Sequence, residues 1–203
     1  MSSRHLLDLQ IAFRFYQWLV GAGRYTRLFA ERYLKCTEGE RVMDIGCGPA
    51  TILDYLPAGC DYTGIDINPD YIAGAERRYA QGRFICAGID DLSGSGFNDD
   101  YDKVFCIGVM HHLSDEQAKK MLHFGCSILK SGGKFLSLEP VWSPPQGVVE
   151  RWFMNHDRGK FIRSEDHYGS MAKEVFGDSR IEILRGTMNI PFTIAIIQSQ
   201  KLP

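Results

Sequence analysis

The chain has no C-x-x-C pair: its six cysteines (Cys36, Cys47, Cys60, Cys86, Cys106, Cys126) are widely spaced. That spacing argues against a zinc site or a disulfide framework and suits a reducing compartment. No uninterrupted apolar stretch approaches the ~18 residues of a spanning helix. No charged leader followed by an apolar core and a small-residue cleavage site opens the sequence. Excess charge of one sign is also missing, with 23 Lys and Arg against 25 Asp and Glu and a formal net charge of -2. That balance gives no reason to expect nucleic acid as a partner. These absences set the expectation of a cytoplasmic protein with no stable membrane insertion. Internal repeats and low-complexity segments are lacking too.

What is present is an ordinary globular composition over 203 residues, 44% hydrophobic and 24% charged, enough for one domain with a real core. The first 35 residues are locally basic (Arg4, Arg14, Arg24, Arg27, Arg32, Lys35), which reads as a solvated helix face, the alternative being a site for an anionic substrate or membrane surface. Leu9, Ile11, Phe15, Trp18 and Leu19 recur at helical spacing, as do Tyr25, Leu28, Phe29, Tyr33 and Leu34. Two amphipathic helices joined at Gly21-Ala22-Gly23 are therefore predicted.

From Arg41 onward, strands and helices alternate. Strands are predicted at 41–44, 62–66, 83–87, 103–107 and 134–139. A short helix is expected near 51–56, and a second near 69–80 with Asn68 as N-cap and Pro69 at the first helical position. Ser114 with Gln117 forms a capping box for a helix to about Lys130, stopped by Ser131-Gly132-Gly133. Residues 140–163, with Pro140, Pro144 and Pro145, read as irregular. Ser164 caps a helix carrying Tyr168, Met171, Ala172, Val175 and Phe176 on one face. Strands at 181–184 and 192–197 follow and should pair antiparallel. The alternation predicts a mostly parallel sheet with helices on both faces.

The stretch Val42-Met43-Asp44-Ile45-Gly46-Cys47-Gly48-Pro49-Ala50-Thr51 is the most informative. An apolar strand runs into an acid and then into two glycines spaced by one. The glycines permit a tight turn and close approach of backbone N–H groups to a ligand. The carboxyl end of such a strand is where open α/β sheets bind ligands. A fixed negative charge there suits a cationic nucleoside better than a pyrophosphate. Thr51 stands where the third glycine of G-x-G-x-x-G would fall, which weighs against a nicotinamide-dependent oxidoreductase.

Three acidic sites sit at successive strand ends: Asp44, Asp66 and the pair Asp90–Asp91. Parallel neighbours would bring them to one cleft. Asp66 lies 22 residues beyond Asp44, at the position from which an acid accepts both hydroxyl hydrogens of a ribose. Ile67 is placed to lie against a purine face. Asp90 could receive a hydrogen bond from an exocyclic amine, and Asp44 would face the positive end of the ligand. Each aspartate alone would read as a cap or a solvated turn.

In order, these residues resemble the class I S-adenosylmethionine-dependent methyltransferases. Val42–Thr51 looks like the family's glycine-rich motif, Tyr62–Asn68 its ribose-binding loop, and Phe84–Leu92, with Ile89, its adenine segment. Tyr101–Leu113, ending Val109-Met110-His111-His112-Leu113, and Leu129–Leu138 are similar to its fourth- and fifth-strand motifs. Many members carry an acid at the position of Gly88; here the amine contact must move to Asp90, pass through water, or be lost. Trp152-Phe153-Met154, Asp157-Arg158-Gly159-Lys160 and Phe161-Ile162-Arg163 are similar to a bacterial subgroup with the His-His-Leu motif.

The resemblance implies a Rossmann-like, doubly wound α/β fold: a seven-stranded, mostly parallel sheet with an antiparallel last strand and an N-terminal helical lid. It implies one domain over 1–203, with the lid at 1–38, the cofactor half at 39–139 and an acceptor-side segment at 140–203. S-adenosylmethionine is the implied cofactor and S-adenosylhomocysteine its product. Gly46, Cys47 and Gly48 would contact the methionine part through backbone, with Ile107 and Gly108 contributing from the fourth strand.

The reaction implied is methyl transfer to a small-molecule acceptor, with oxygen as the expected acceptor atom. His111 or His112 is the candidate base, the alternative being a ring packed under the sheet. Glu139 either points into the cleft or is a solvated strand end. Tyr16, Trp18, Arg24, Tyr25 and Trp142 are candidates for the acceptor pocket, with His156, Arg158, Arg163 and His167 adding basic character. No Asn-Pro-Pro-Tyr-like tetrad follows the fourth strand. A non-catalytic binding protein of the same fold is the alternative reading.

Overall fold

The computed structural model describes residues 21–92, 97 and 100–203. The helix expected over 8–20, with Tyr16 and Trp18, and the Ser93–Gly96 link lie outside the described residues.

The sheet contains β1 (Arg41–Ile45), β2 (Asp61–Asp66), β3 (Arg83–Cys86), β4 (Tyr101–Ile107), β5 (Leu129–Trp142), β6 (Arg163–Ser164), β7 (Ser179–Leu184) and β8 (Ile194–Gln200). Seven of them run in the order β3-β2-β1-β4-β5-β8-β7, and the two-residue β6 pairs with the end of β5. β1 lies parallel to β2 on one side and to β4 on the other. β8 runs antiparallel to both β5 and β7, as the short link before it required.

Both faces of the central strands are covered, so those strands read as continuous apolar runs rather than alternating ones. On one face α3 (Asp115–Ile128) and α5 (Glu165–Phe176) pack Met121, Leu122, Met171 and Phe176 onto Val104, Cys106, Phe135 and Ile197. On the other, α2 (Pro69–Arg78) and the 3-10 turn Thr51–Tyr55 pack Ile52, Leu53 and Ile72 onto Val42, Phe105, Leu136 and Ile196. The caps read from sequence are formed: Asn68 accepts from Asp70 N, Ser114 and Gln117 make a reciprocal box, and Ser164 accepts from His167 N.

Three expectations are corrected. First, the Ser131-Gly132-Gly133 run does not separate α3 from its strand: β5 begins at Leu129 and absorbs the run as an irregularity. There β5 advances from 129 to 134 while β4 advances only from 101 to 103. Second, the stretch 140–163 is not all irregular. β5 continues past Pro140 to Trp142, where Val141 and Trp142 pair with β6 and Val141 N donates to Thr193 O, just before β8, at 3.2 Å, and α4 (Val148–Asn155) follows. Third, the segment before β1 is more than a lid. α1 (Ala22–Leu28) runs into a π-helical turn, Phe29–Leu34, whose Phe29, Ala30 and Leu34 are buried in the core against residues such as Phe105. Among the described residues no helix is long and apolar enough to cross a membrane.

Candidate functional site

The carboxyl ends of β1, β2 and β4 open into one cleft of about 830 Å³. Its wall includes Asp44, Gly46, Cys47, Gly48, Asp66, Ile67, Ile89, Asp90, Ile107, Gly108 and His112. Ten of the cofactor positions marked in the sequence thus share one cavity.

The glycine turn explains itself locally. Gly46 (φ 75°) and Gly48 (φ 53°) are both left-handed. A Cβ on Gly46 would stand 2.4 Å from Val109 Cγ2, whereas one on Gly48 would meet nothing within 4 Å. The Gly46 and Cys47 amides both donate to Ile65 O, at 2.7 and 2.9 Å, which ties the turn to β2. Burial pushes the Cys47 thiol up, with the charges of Asp44 and Asp66 adding to it, so it stays protonated.

Asp44 is 3% exposed. Its Oδ2 accepts the Tyr62 hydroxyl at 2.7 Å, and its Oδ1 has no hydrogen-bond partner among the described residues. Burial pushes this carboxyl up to about 7, the Asp66 charge adds to the rise, and Tyr62 opposes it. A buried, half-satisfied carboxylate facing a cavity is costly unless a donor or a cation completes it.

Asp66 is held at both oxygens, Oδ2 by Gly48 N and Oδ1 by Asn68 N, each at 2.8 Å. A carboxylate offers about four lone-pair sites, so capacity remains for a bidentate diol. Ile67 stands 75% exposed at the lip. Across from it the Gly88 amide donates to Asp91 Oδ2 at 3.0 Å. Asp90 is on the wall but already engaged by Lys120 Nζ (3.1 Å) and Gln117 Nε2 (3.4 Å).

The turn after β4 is organised by Glu139, which is fully buried. It is neither in the cleft nor solvated. Its Oε1 accepts from the amides of Val109 and Met110 and from Ser137 Oγ, each at 3.0 Å, and its Oε2 meets His111 Nδ1 at 2.8 Å. Burial pushes Glu139 up, but His111 and these amides outweigh it and hold the carboxyl below the usual range.

The two histidines part company. His111 is 6% exposed, is not on the cleft wall, and has its second nitrogen 3.3 Å from Asp157 Oδ1. Burial lowers its pKa, yet Asp157 and Glu139 together carry it up to about 9. A histidine cationic at neutral pH with both nitrogens occupied is no general base, and that candidacy is withdrawn. His112 does line the cleft. Burial and the neighbouring His111 ring, 4.0 Å away, bring it below its ordinary value.

The acceptor candidates fare differently. Tyr25 is on the wall. Arg24 is exposed, off the wall, and donates to Asn189 Oδ1 at 3.1 Å. Trp142 pairs with Ser164 between β5 and β6 and is also off the wall. Tyr16 lies outside the described residues. Tyr55, Tyr71 and Gln117, which sequence reasoning passed over as contributors, line the cavity with Arg158. A signal existed for Tyr71: the first turn of a helix that follows a strand's carboxyl end necessarily faces the cleft. Arg163 is buried and donates to Met110 O (2.8 Å) and Leu113 O (2.7 Å), which makes it a brace and not a ligand group.

A family model described as a methyltransferase domain matches residues 42–133. Over that segment the chain matches a methyltransferase domain, and the strand order and the cleft described above agree with the match. Rv1506c of Mycobacterium tuberculosis, named as a methyltransferase, is 39% identical over 62 residues, 28% of this chain and 37% of that protein. The chain thus spans well under two thirds of that curated relative. An S-adenosylmethionine-dependent methyltransferase from Archaeoglobus fulgidus superposes with a TM-score of 0.75 at 19% identity, over 94% of this chain and 99% of that one. Phosphoethanolamine N-methyltransferase 2 of Haemonchus contortus, solved in complex with S-adenosyl-L-methionine, gives 0.72 at 15% identity, over 93% of this chain and 56% of that one. At such identities these two likenesses speak to the fold alone.

Proposed function

We propose that the chain binds S-adenosylmethionine in this cleft and directs methyl transfer to a small-molecule acceptor, with oxygen as the accepting atom. The observation that carries the reading is Asp44, a buried carboxylate on the cleft wall beside the diol-ready Asp66, with one oxygen that has no partner among the described residues. When bound, the cofactor supplies an electrophilic sulfonium methyl.

The chain's residues do the rest. Asp44 answers the ligand's positive end, and Asp66 takes the ribose hydroxyls through its remaining lone pairs. Ile67 and Ile89 flank the base. Gly46, Cys47 and Gly48 leave room for the methionine part, and Ile107 and Gly108 bound it from β4. Proximity and alignment contribute up to about 7–11 kcal/mol in such transfers, so holding the acceptor in line and dry is the main task. His112, which burial and the His111 charge hold below the ordinary imidazole value, accepts the acceptor's proton. In this reading residues 39–139 hold the cofactor, while 21–38 and 140–203 shape the acceptor side.

Calorimetric titration with S-adenosylhomocysteine tests the proposal, and folded protein that fails to bind at high micromolar concentration overturns it. Asp66→Ala should weaken binding by about 1–3 kcal/mol. Release of S-adenosylhomocysteine in an acceptor screen separates catalysis from binding without turnover.

A further inference from the structure

The excursion between β5 and β6 presents an apolar face to solvent. α4 buries Met154 and turns Glu150 inward, where it accepts from Thr193 Oγ1 and Gln146 Nε2. On the opposite side, at positions i, i+1 and i+4, Val148 is 85%, Val149 60% and Trp152 55% exposed. The Trp152 ring stacks on His156 at 4.4 Å, and Phe161, further along the excursion, is 40% exposed. A helix of a soluble domain ordinarily turns such residues inward.

Charge on this excursion is of one sign where it is exposed. Arg151, Arg158 and Lys160 are all exposed. Arg151 and Lys160 have no carboxylate partner among the described residues. The two acids are occupied, Glu150 as above and Asp157 by His111 and the Gly159 amide.

We propose that this face, formed by Val148, Val149 and Trp152 with Arg151, Arg158 and Lys160, adsorbs to an anionic lipid surface. Aliphatic side chains enter the headgroup boundary, tryptophan sits at that boundary, and flanking cations meet anionic headgroups. A lipid fits better than a protein partner because the exposed charge on the excursion that carries the apolar face is all cationic, and Arg151 and Lys160 have no carboxylate partner among the described residues. Arg158 also belongs to the cleft wall, so adsorption would set the cleft mouth beside the interface. The inference does not depend on the cofactor reading.

Co-sedimentation of the full chain with phosphatidylcholine–phosphatidylglycerol vesicles, against phosphatidylcholine alone, tests it. Binding to the anionic vesicles, its loss at high salt and weak binding to the neutral ones are expected. The pairs Val149→Ser/Trp152→Ser and Arg151→Glu/Lys160→Glu should each lower partitioning by about 10-fold or more. Thermal unfolding shows whether each variant is folded; if one pair unfolds the other decides, and if both do the salt dependence of the parent decides. Absence of binding to anionic vesicles overturns the proposal, as do folded variants that bind like the parent. A parent dimer that the first pair dissociates, with no vesicle binding, assigns the face to a second copy and also overturns it.

Discussion

Tyr62 gives its hydroxyl hydrogen to Asp44 Oδ2 at 2.7 Å, from the strand that runs parallel to Asp44's own. Both side chains are buried. Tyr62 therefore satisfies one oxygen of a buried carboxylate on the cleft wall, and the other oxygen is short of a partner among the described residues.

Asp44→Asn follows from that shortage. The Asp44 carboxyl is pushed up to about 7 in the folded protein, against about 3.9 in an unfolded chain. Between those values the folded state keeps a proton that the unfolded state gives up, so this group's contribution to stability falls as pH rises from about 4 to about 7 and is flat above. The amide avoids that loss. Without ligand, Asp44→Asn should unfold at a higher temperature than the parent at pH 8, by about 2–4 °C for each kcal/mol of relief, and match it near pH 4. The same variant should bind S-adenosylmethionine more weakly. A lower midpoint than the parent at pH 8 would contradict the reading.

His111 is the opposite case. Its folded pKa, about 9, lies above the usual ~6.5, so its contribution is fully present below about pH 6.5 and is lost as pH rises through 9. His111→Gln leaves Glu139 and Asp157 without their shared cation. About 3–5 kcal/mol of destabilisation is expected at pH 6, shrinking markedly by pH 10. Urea unfolding at the two pH values measures the difference.

Two glycines should separate folding from binding. A Cβ on Gly159 would stand 1.9 Å from His111 Cδ2 and 2.8 Å from His111 O, so Gly159→Ala should cost about 1–3 kcal/mol of stability or more. At Gly48 nothing lies within 4 Å, and only the left-handed φ of 53° opposes a side chain. Gly48→Ala should cost about 1–2 kcal/mol of stability and weaken ligand binding, because the methyl projects into the turn that bounds the cleft. Thermal unfolding and calorimetry on the same two proteins distinguish the effects.

Asp90 and Asp66 should prove unequal. Lys120 and Gln117 already occupy the Asp90 carboxylate, which is turned toward α3. Asp90→Ala should therefore change S-adenosylhomocysteine affinity by less than ~1 kcal/mol, well below the effect of Asp66→Ala. Equal losses in calorimetry would show that Asp90, and not water, carries the amine contact in place of Gly88.

The parallel strands and the three capped helices were legible because each has a local cause: apolar runs, Asn68-Pro69, Ser114 with Gln117, and Ser164. The convergence of Asp44, Asp66 and the residues after β4 was legible because parallel neighbours align their carboxyl ends. What escaped was set by tertiary partners. Pro140 reads as a strand end, yet β8 pairs with it and β6 pairs beyond it. His111 and His112 are adjacent in sequence and alike in type. Only the distant Glu139 and Asp157 make one a buried cation while the other lines the cleft. The role of the Tyr62 hydroxyl escaped as well, since its partner Asp44 lies on the neighbouring strand.

β8 lies inside the sheet, between β5 and β7, although every other strand precedes it in the chain. During synthesis β7 emerges before the strand that must separate it from β5. Until residues 194–200 leave the ribosome, the long edge of β5 is open, and direct docking of β7 onto it would be a wrong pairing. An unpaired apolar edge of that kind invites wrong pairing, and the antiparallel pair of β7 and β8 is the unit that covers it.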